Sequence, residues 1–316
     1  MEMVEDDTYL GDIISSDGKN SQNIQKKISK GIDITSSIMT LLNKICLGEF
    51  YIEISMILRE SMFINGILTN AEIWYNLKQS EIEEFELLDR TILRQILQVP
   101  VTKELGILPI GIVIKMQRIR YLHYLTNLKE TEMLHQFFIM QWNNPTKGDW
   151  TQSVREDLKD FGIKFNDLKG MSKNFMKKLI KKNAREYAFN KLMEMKEQNS
   201  SKLGQLKYKK LKRQAYMKQT KKNIINIFKF RTHMVDFGEN YRAGYDAFLC
   251  PLCLEHLDNQ QNSLKCKSIQ DELEFKKDIS DIYSNEITEE TIQIINIIIK
   301  IRKKLIERDS TAEESF

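Results

Sequence analysis

The chain has 316 residues, enough for two domains of ordinary size, and 41% of them are hydrophobic, so a real core can be buried. Only 4 prolines and 13 glycines punctuate it, which argues for long helices and against a turn-rich β architecture. The net charge of +4 conceals an asymmetry: Lys164–Lys222 holds 19 Lys and Arg against 4 Asp and Glu, so that segment is +15 and the remainder −11, a split that suits one surface meeting a polyanion.

Met1–Asp7 is acidic where a secretory signal would be basic and then apolar. The most apolar run, Ile292–Ile301, is ten residues long and broken by Gln293, Asn296 and Lys300, whereas a membrane span needs about 20 apolar residues. The expectation is an intracellular protein of nucleus or cytoplasm with reduced thiols.

Thr8–Ile14 reads as a short β run closed by the turn signal Asp17-Gly18. Asn20 or Ser21 then caps a helix to about Cys46, with Ile24, Ile28, Ile32, Ile38, Leu41, Leu42 and Ile45 as its apolar stripe. A second helix covers Tyr51 to Asn76 and is apolar over much of its girth, which makes it central. Ser80 caps the next, with Glu81, Glu83 and Glu84 in the dipole-favoured first turn, and Pro100 stops it. Further helices are predicted over Ile110–Leu128, Thr131–Trp142 and near Thr151–Phe161, with a loop at Asn143–Gly148. Ser172 opens a basic helix to about Gln198. A second basic helix spans Gln205–Lys222 and a less charged one continues to about Asp236. In the tail, Thr288 caps a helix that begins with Glu289 and Glu290 and ends near Arg302, Lys303 and Lys304.

Two features carry chemistry. Cys250-Pro-Leu-Cys253 brings two thiolates within reach of one Zn²⁺; Cys266 is the third candidate ligand. For the fourth there are two positions: His256, three residues after Cys253, and Asn262, where a histidine would complete Cys-x2-Cys-x8-His-x3-Cys but where Asn binds zinc poorly. Weak or water-completed zinc binding is the expectation. The second feature is cationic: Lys173, Lys177, Lys178, Lys181, Lys182 and Arg185 recur at helical spacing, followed by Lys207, Lys209, Lys210, Lys212 and Arg213 with Tyr208 and Tyr216 interleaved. Such a surface binds RNA or DNA phosphates without regard to sequence, and the tyrosines would stack on bases. Glu5-Asp6-Asp7 lacks the third carboxylate of a two-metal centre, so no Mg²⁺ site is expected, and Glu274-Phe-Lys276 is too common a pattern to mark a nuclease. His123, His135 and His233 lie beside apolar or aromatic neighbours and read as core or boundary residues.

Tyr9-Leu10-Gly11-Asp-Ile-Ile-Ser-Ser-Asp-Gly-Lys-Asn20 resembles the primer-grip strand and turn that follow the palm in reverse transcriptases of non-LTR (LINE-like) retrotransposons. The likeness continues through Ile24, Lys30-Gly31, Ile64–Tyr75, Glu104–Ile110, Arg120-Tyr-Leu-His-Tyr-Leu125, Asn144–Trp150, Met171–Leu192, Cys250–Cys253 and Ile282–Thr291. It implies a mostly α fold: a palm remnant with a short N-terminal β strand over 1–20, a helical thumb-like bundle over 21–142, a basic helical connector over 143–249, a zinc-knuckle-like module over 250–266 and a helical tail over 267–316. It further implies that Tyr9, Leu10 and Gly11 position a primer end, that Cys250, Cys253 and Cys266 are knuckle ligands, and that the catalytic aspartates of an RNA-directed DNA polymerase belong upstream of Tyr9. The expected function is therefore template–primer binding without catalysis, by a truncated element in which Asn262 replaces a histidine and Gln98–Glu104 is short. The rival is a helical protein–protein scaffold with a basic surface, self-associating through Ile292–Ile306.

Overall fold

The run Thr8–Ile14 folds back on itself. In the computed structural model Asp6–Tyr9 (β1) pairs antiparallel with Asp12–Ser15 (β2), Tyr9 opposite Asp12 and Asp6 opposite Ser15. The described residues are 6–9, 12–15, 20–44, 50–97, 105–198, 211, 213–232, 234–235, 237–238, 249–250, 252–271 and 287–313. Asp12 ties this hairpin to the helices: its buried carboxylate lies 2.5 Å from the Lys27 ammonium and accepts from the Asn70 amide. A single strand was expected; the hairpin forms because the chain reverses between Tyr9 and Asp12.

Helix α1 (Ser21–Lys44) buries Ile24, Gly31, Thr35, Ile38 and Leu42. Ile32 and Leu41, expected on that stripe, are exposed. The period of 3.6 puts Gly31 on the inner line instead, and its missing side chain matters: a Cβ there would stand 2.5 Å from Leu88 Cδ2 and 2.9 Å from Ile67 Cγ2. Asn20 and Ser21 reach across to neighbours, the Asn20 amide to the Tyr75 carbonyl (3.0 Å) and the Ser21 hydroxyl to Glu81 (2.9 Å).

The helix predicted over Tyr51–Asn76 is broken. It runs as α2 (Tyr51–Leu58), widens into a π turn at Arg59–Ile64, and ends with α3 (Asn65–Ile67). Asn70 then adopts the left-handed conformation (φ 62°), and Ala71–Ile73 forms a 3-10 turn. Helix α4 (Gln79–Leu97) presents Phe85, Asp89, Ile92, Leu93 and Ile96 to the core. Its start is fixed by Glu81, whose carboxylate accepts from the Lys78 N–H (2.8 Å), and not by Ser80, which lies inside the first turn. Arg59 and Asp89 lock the π turn to α4 through a buried bidentate pair at 2.6 and 2.5 Å.

Helix α5 (Ile110–Thr126) is buried on nearly every side, because it divides its residues between two cores. Ile110 and Ile114 join α1 to α4 in the first core. Ile112, Met116, Ile119, Leu122 and Leu125 belong to the second, with α6 (Met133–Asn143), α7 (Trp150–Asp160) and α8 (Lys173–Gln198). Arg118 and Lys115 pin α5 to α7: Arg118 grips Asp157 at 2.7 and 3.0 Å, and Lys115 lies 2.6 Å from Asp160. The division expected at 142/143 runs through this second core.

The predicted basic helix Gln205–Lys222 lies outside the described residues up to 210. Beyond them the chain is not one helix: Ala215–Lys218 is a 3-10 turn, and Thr220 caps a new helix, α9 (Lys221–Arg231), by accepting from the Asn223 N–H (3.4 Å). After the short helices α10 (Gln260–Ser263) and α11 (Lys267–Gln270), α12 (Glu289–Glu313) starts under its predicted Thr288 cap and packs on α9. The isoleucines expected to serve self-association are occupied here within the chain, since Ile292, Ile294, Ile295 and Ile298 are buried in the first core. Among the described residues the fold is mostly α, with the two short strands at the N-terminal end. Among the described residues no helix is long and apolar enough to cross a membrane.

Candidate metal centre and cationic face

An isolated antiparallel bridge between Leu249 and Leu257 closes the loop that carries the first two cysteines. Within it the Cys250 N–H donates to the His256 carbonyl (2.6 Å) and the Leu254 N–H to the Cys250 carbonyl (2.9 Å). Leu254 takes a left-handed conformation, φ 55°, which L side chains rarely adopt. The turn aims the N–H groups of Glu255 and His256 at the Cys253 sulfur; the Glu255 N–H acts most strongly, burial opposes it, and with the His256 N–H and the Cys250 and Cys266 thiols the balance holds the Cys253 thiol below the usual range.

The third cysteine arrives on the other side. Asn259 caps α10 by accepting from the Asn262 N–H (2.7 Å), the Cys266 N–H donates to the Asn262 carbonyl (3.0 Å), and Cys266 in turn precedes α11. Cys266 is fully buried, and burial, aided by the neighbouring Cys250, pushes its thiol up to about 11.

The three sulfurs lie within 4.8 Å of one another, with Cys250 and Cys266 3.8 Å apart. That spacing far exceeds the roughly 2.05 Å of a disulfide. It matches a metal: Zn–S bonds of about 2.3 Å in a tetrahedral site put two sulfurs about 3.8 Å apart. The donor set and the geometry therefore fit Zn²⁺. The His256 ring is exposed and stays outside the cluster, so His256 takes part through its backbone. The Asn262 amide donates to the Leu257 carbonyl at 3.3 Å. Cys46 lies outside the described residues.

The cationic face is built on α8. Met176, Ile180, Ala184 and Ala188 recur every fourth residue and pack in the second core. The remaining faces carry Lys173, Lys177, Lys178, Lys181, Lys182 and Arg185, all exposed. Among the described residues, only Lys182 of these six has a carboxylate nearby, Glu186 at 3.9 Å, an exposed pair that contributes little. Arg213 is exposed as well; Lys207, Lys209, Lys210, Lys212 and Tyr208 fall outside the described residues, as do Leu10 and Gly11. Tyr216 does not face solvent as a stacking platform would: it is buried, with the Arg231 guanidinium 5.6 Å from its ring centre.

The histidines expected to be structural are so where described. His123 Nε2 lies 2.8 Å from the Met171 carbonyl, and His135 Nδ1 lies 3.0 Å from that of Leu125. His233, Glu5 and Glu274–Lys276 are outside the described residues. One element of the metal module escaped sequence reasoning. Asp258 receives Arg302 of α12 at 2.6 and 2.8 Å and the Gly238 N–H at 2.8 Å, which clamps the cysteine loop to the C-terminal helix. Nothing local in the sequence signals a partner 44 residues away.

No protein-family model matches this chain, and no curated protein or solved structure is similar enough to count as a match.

Proposed function

We propose that this chain binds nucleic acid through the exposed face of α8, as the thumb-and-knuckle portion of a LINE-like reverse transcriptase would hold a template–primer, and that it does not extend the strand. One observation carries the reading: six cations stand on the solvent side of a single helix whose opposite side is anchored in a core. A rigid helix presenting positive charge neutralises phosphates and releases their counterions, so affinity falls steeply with salt. The test is fluorescence anisotropy of a labelled duplex across a salt series. Lys177→Gln, Lys178→Gln and Lys181→Gln together should flatten the log–log slope by about 0.9 for each phosphate that is no longer neutralised. A slope unchanged by the triple substitution overturns the proposal, and nucleotide incorporation by the purified chain overturns its second half.

The same reading includes a weak Zn²⁺ site on Cys250, Cys253 and Cys266, with water as the fourth ligand. Three converging thiols support it. Zinc content after dialysis, compared with Cys266→Ser, tests it; equal content in both rejects it.

A scaffold for another protein is a second reading, favoured by one observation. Helix α6 exposes Met133, Leu134, Phe137 and Met140 together. Replacing Phe137 and Met140 by Gln should then abolish any concentration-dependent assembly seen in light scattering, with nucleic-acid affinity unchanged.

A further inference from the structure

Helix α5 is packed on almost all sides, and one narrow stripe of it reaches solvent. Gln117, Arg120, Tyr121 and Tyr124 follow one another at spacings of three and four, so they form a contiguous diamond on the helix surface. Three of the four are half-buried and Tyr124 is exposed. A polar stripe on so buried a helix would ordinarily be satisfied internally. This one is not: Arg120 Nε and Gln117 Oε1 are both buried and have no hydrogen-bond partner among the described residues. Burial alone depresses the Arg120 pKa, with no carboxylate contributing to it. A guanidinium held in that setting lacks its anion.

The aromatic half of the diamond is equally specific. Tyr121 meets Trp150 of α7 edge-on at 5.7 Å, which fixes its ring. Tyr124 stacks on Tyr121 at 6.0 Å with planes 22° apart and leaves its own outer face to solvent, 51% exposed. Glu72 bears on Tyr121 and not on Arg120. The stripe thus offers a cation without a counter-ion among the described residues and, four positions on, an open aromatic face on the same side of the helix.

We propose that this stripe is a station for one nucleotide of a single strand: Arg120 receives the phosphate and the outer face of Tyr124 stacks on the base. Phosphate and planar base belong together in a nucleotide, and each has its complement here. The station is distinct from the α8 face. It takes an unstacked residue, whereas α8 neutralises backbone charge, so each stands or falls separately.

The test uses the full chain and a labelled oligothymidylate carrying one 5-bromouracil. On irradiation the adduct should map by mass spectrometry to the peptide containing Tyr121 and Tyr124. Tyr124→Ala, at an exposed position that the fold tolerates, should weaken binding about tenfold with no change in salt slope, since stacking carries no charge. Tyr124→Phe should restore binding. Arg120→Gln should flatten the single-strand slope by about 0.7, the value for one phosphate. Adducts confined to α8, or a Tyr124→Ala protein that binds as the parent does, overturn the station and leave the α8 reading intact. Loss with Tyr124→Ala alongside a null result for the α8 substitutions overturns the α8 reading and leaves the station.

Discussion

Leu254 sits where a glycine would sit at ease. Its left-handed backbone costs an L residue roughly 1–2 kcal/mol, and its side chain is mostly exposed, so it gains little from burial. The conformation persists because it points two N–H groups at the Cys253 sulfur. Leu254→Gly should therefore stabilise the loop by about 0.5–1 kcal/mol after allowing for the added freedom of the unfolded chain. The gain should appear as tighter zinc retention in a chelator competition; weaker retention would show that the leucine side chain contributes something else. Asp149 is a second residue whose conformation sets a free energy. Burial is the largest single influence and raises its carboxyl pKa, but hydrogen bonds from the N–H groups of Gln152 and Thr146 and from the Thr146 hydroxyl together outweigh it and hold the group below the usual carboxylate range. A depressed folded pKa means stability that is present above the unfolded pKa, near 3.9, and lost as pH falls through the folded value. Asp149→Ala should cost about 1 kcal/mol in urea unfolding at pH 7, and the gap between the two proteins should narrow below about pH 4. A gap that persists in acid would assign the loss to packing.

At the level of elements, the π turn at Arg59–Ile64 and the charged pair beneath it belong together. The extra residue in the turn carries Arg59 inward, where Asp89 meets it with two hydrogen bonds. Removing one partner of such a pair leaves an uncompensated buried charge, so Asp89→Ala should cost about 3–5 kcal/mol in chemical denaturation. Asp89→Leu with Arg59→Met should recover much of the loss, because the two apolar side chains leave no charge behind. Helix existence and order could be read from periodicity, as the agreement at Ser21–Lys44 and Ile110–Thr126 shows, while α12 begins where expected but runs on to Glu313, past the basic residues Arg302, Lys303 and Lys304 expected to end it. Start signals were legible where the capping residue stood just before the apolar run, as at Thr288. They failed at Ser80, where a carboxylate three residues beyond Lys78 took the role. The break after Leu58 was illegible because an apolar run has no phase from which to tell a π turn from an α turn. Ile32 and Leu41 misled for the opposite reason: a glycine and a threonine, silent on any hydrophobicity scale, occupy the inner line.

Across the whole molecule the two cores predict different fates. Cys250, Cys266 and Ile269 share the first core with α9 and α12, whereas α6, α7 and α8 lie in the second. With zinc on the cysteine trio, as proposed, its chelation should therefore accelerate amide exchange in α9 and α12 and leave α7 and α8 protected. Uniform acceleration, read by mass spectrometry, would mean that α5 couples the cores into one cooperative unit. Of the candidate sites, the cysteine trio was legible from spacing and the α8 lysines from charge. The Asp258–Arg302 clamp and the α5 stripe were not, since the first joins distant segments and the second lies within a helix whose pattern is apolar all round.

The packing of α12 on α9 holds one more consequence. Amid the isoleucines, Asn296 exchanges amide hydrogen bonds with Asn226 (2.7 Å) and Asn223 (3.0 Å). An aliphatic seam alone tolerates sliding by a helical turn; three interlocked amides do not, for a shift of about 5.4 Å would break both hydrogen bonds between these part-buried side chains. The chain's terminal helix thus has a single notch to drop into, and its placement is decided by polarity where greasiness would leave it ambiguous.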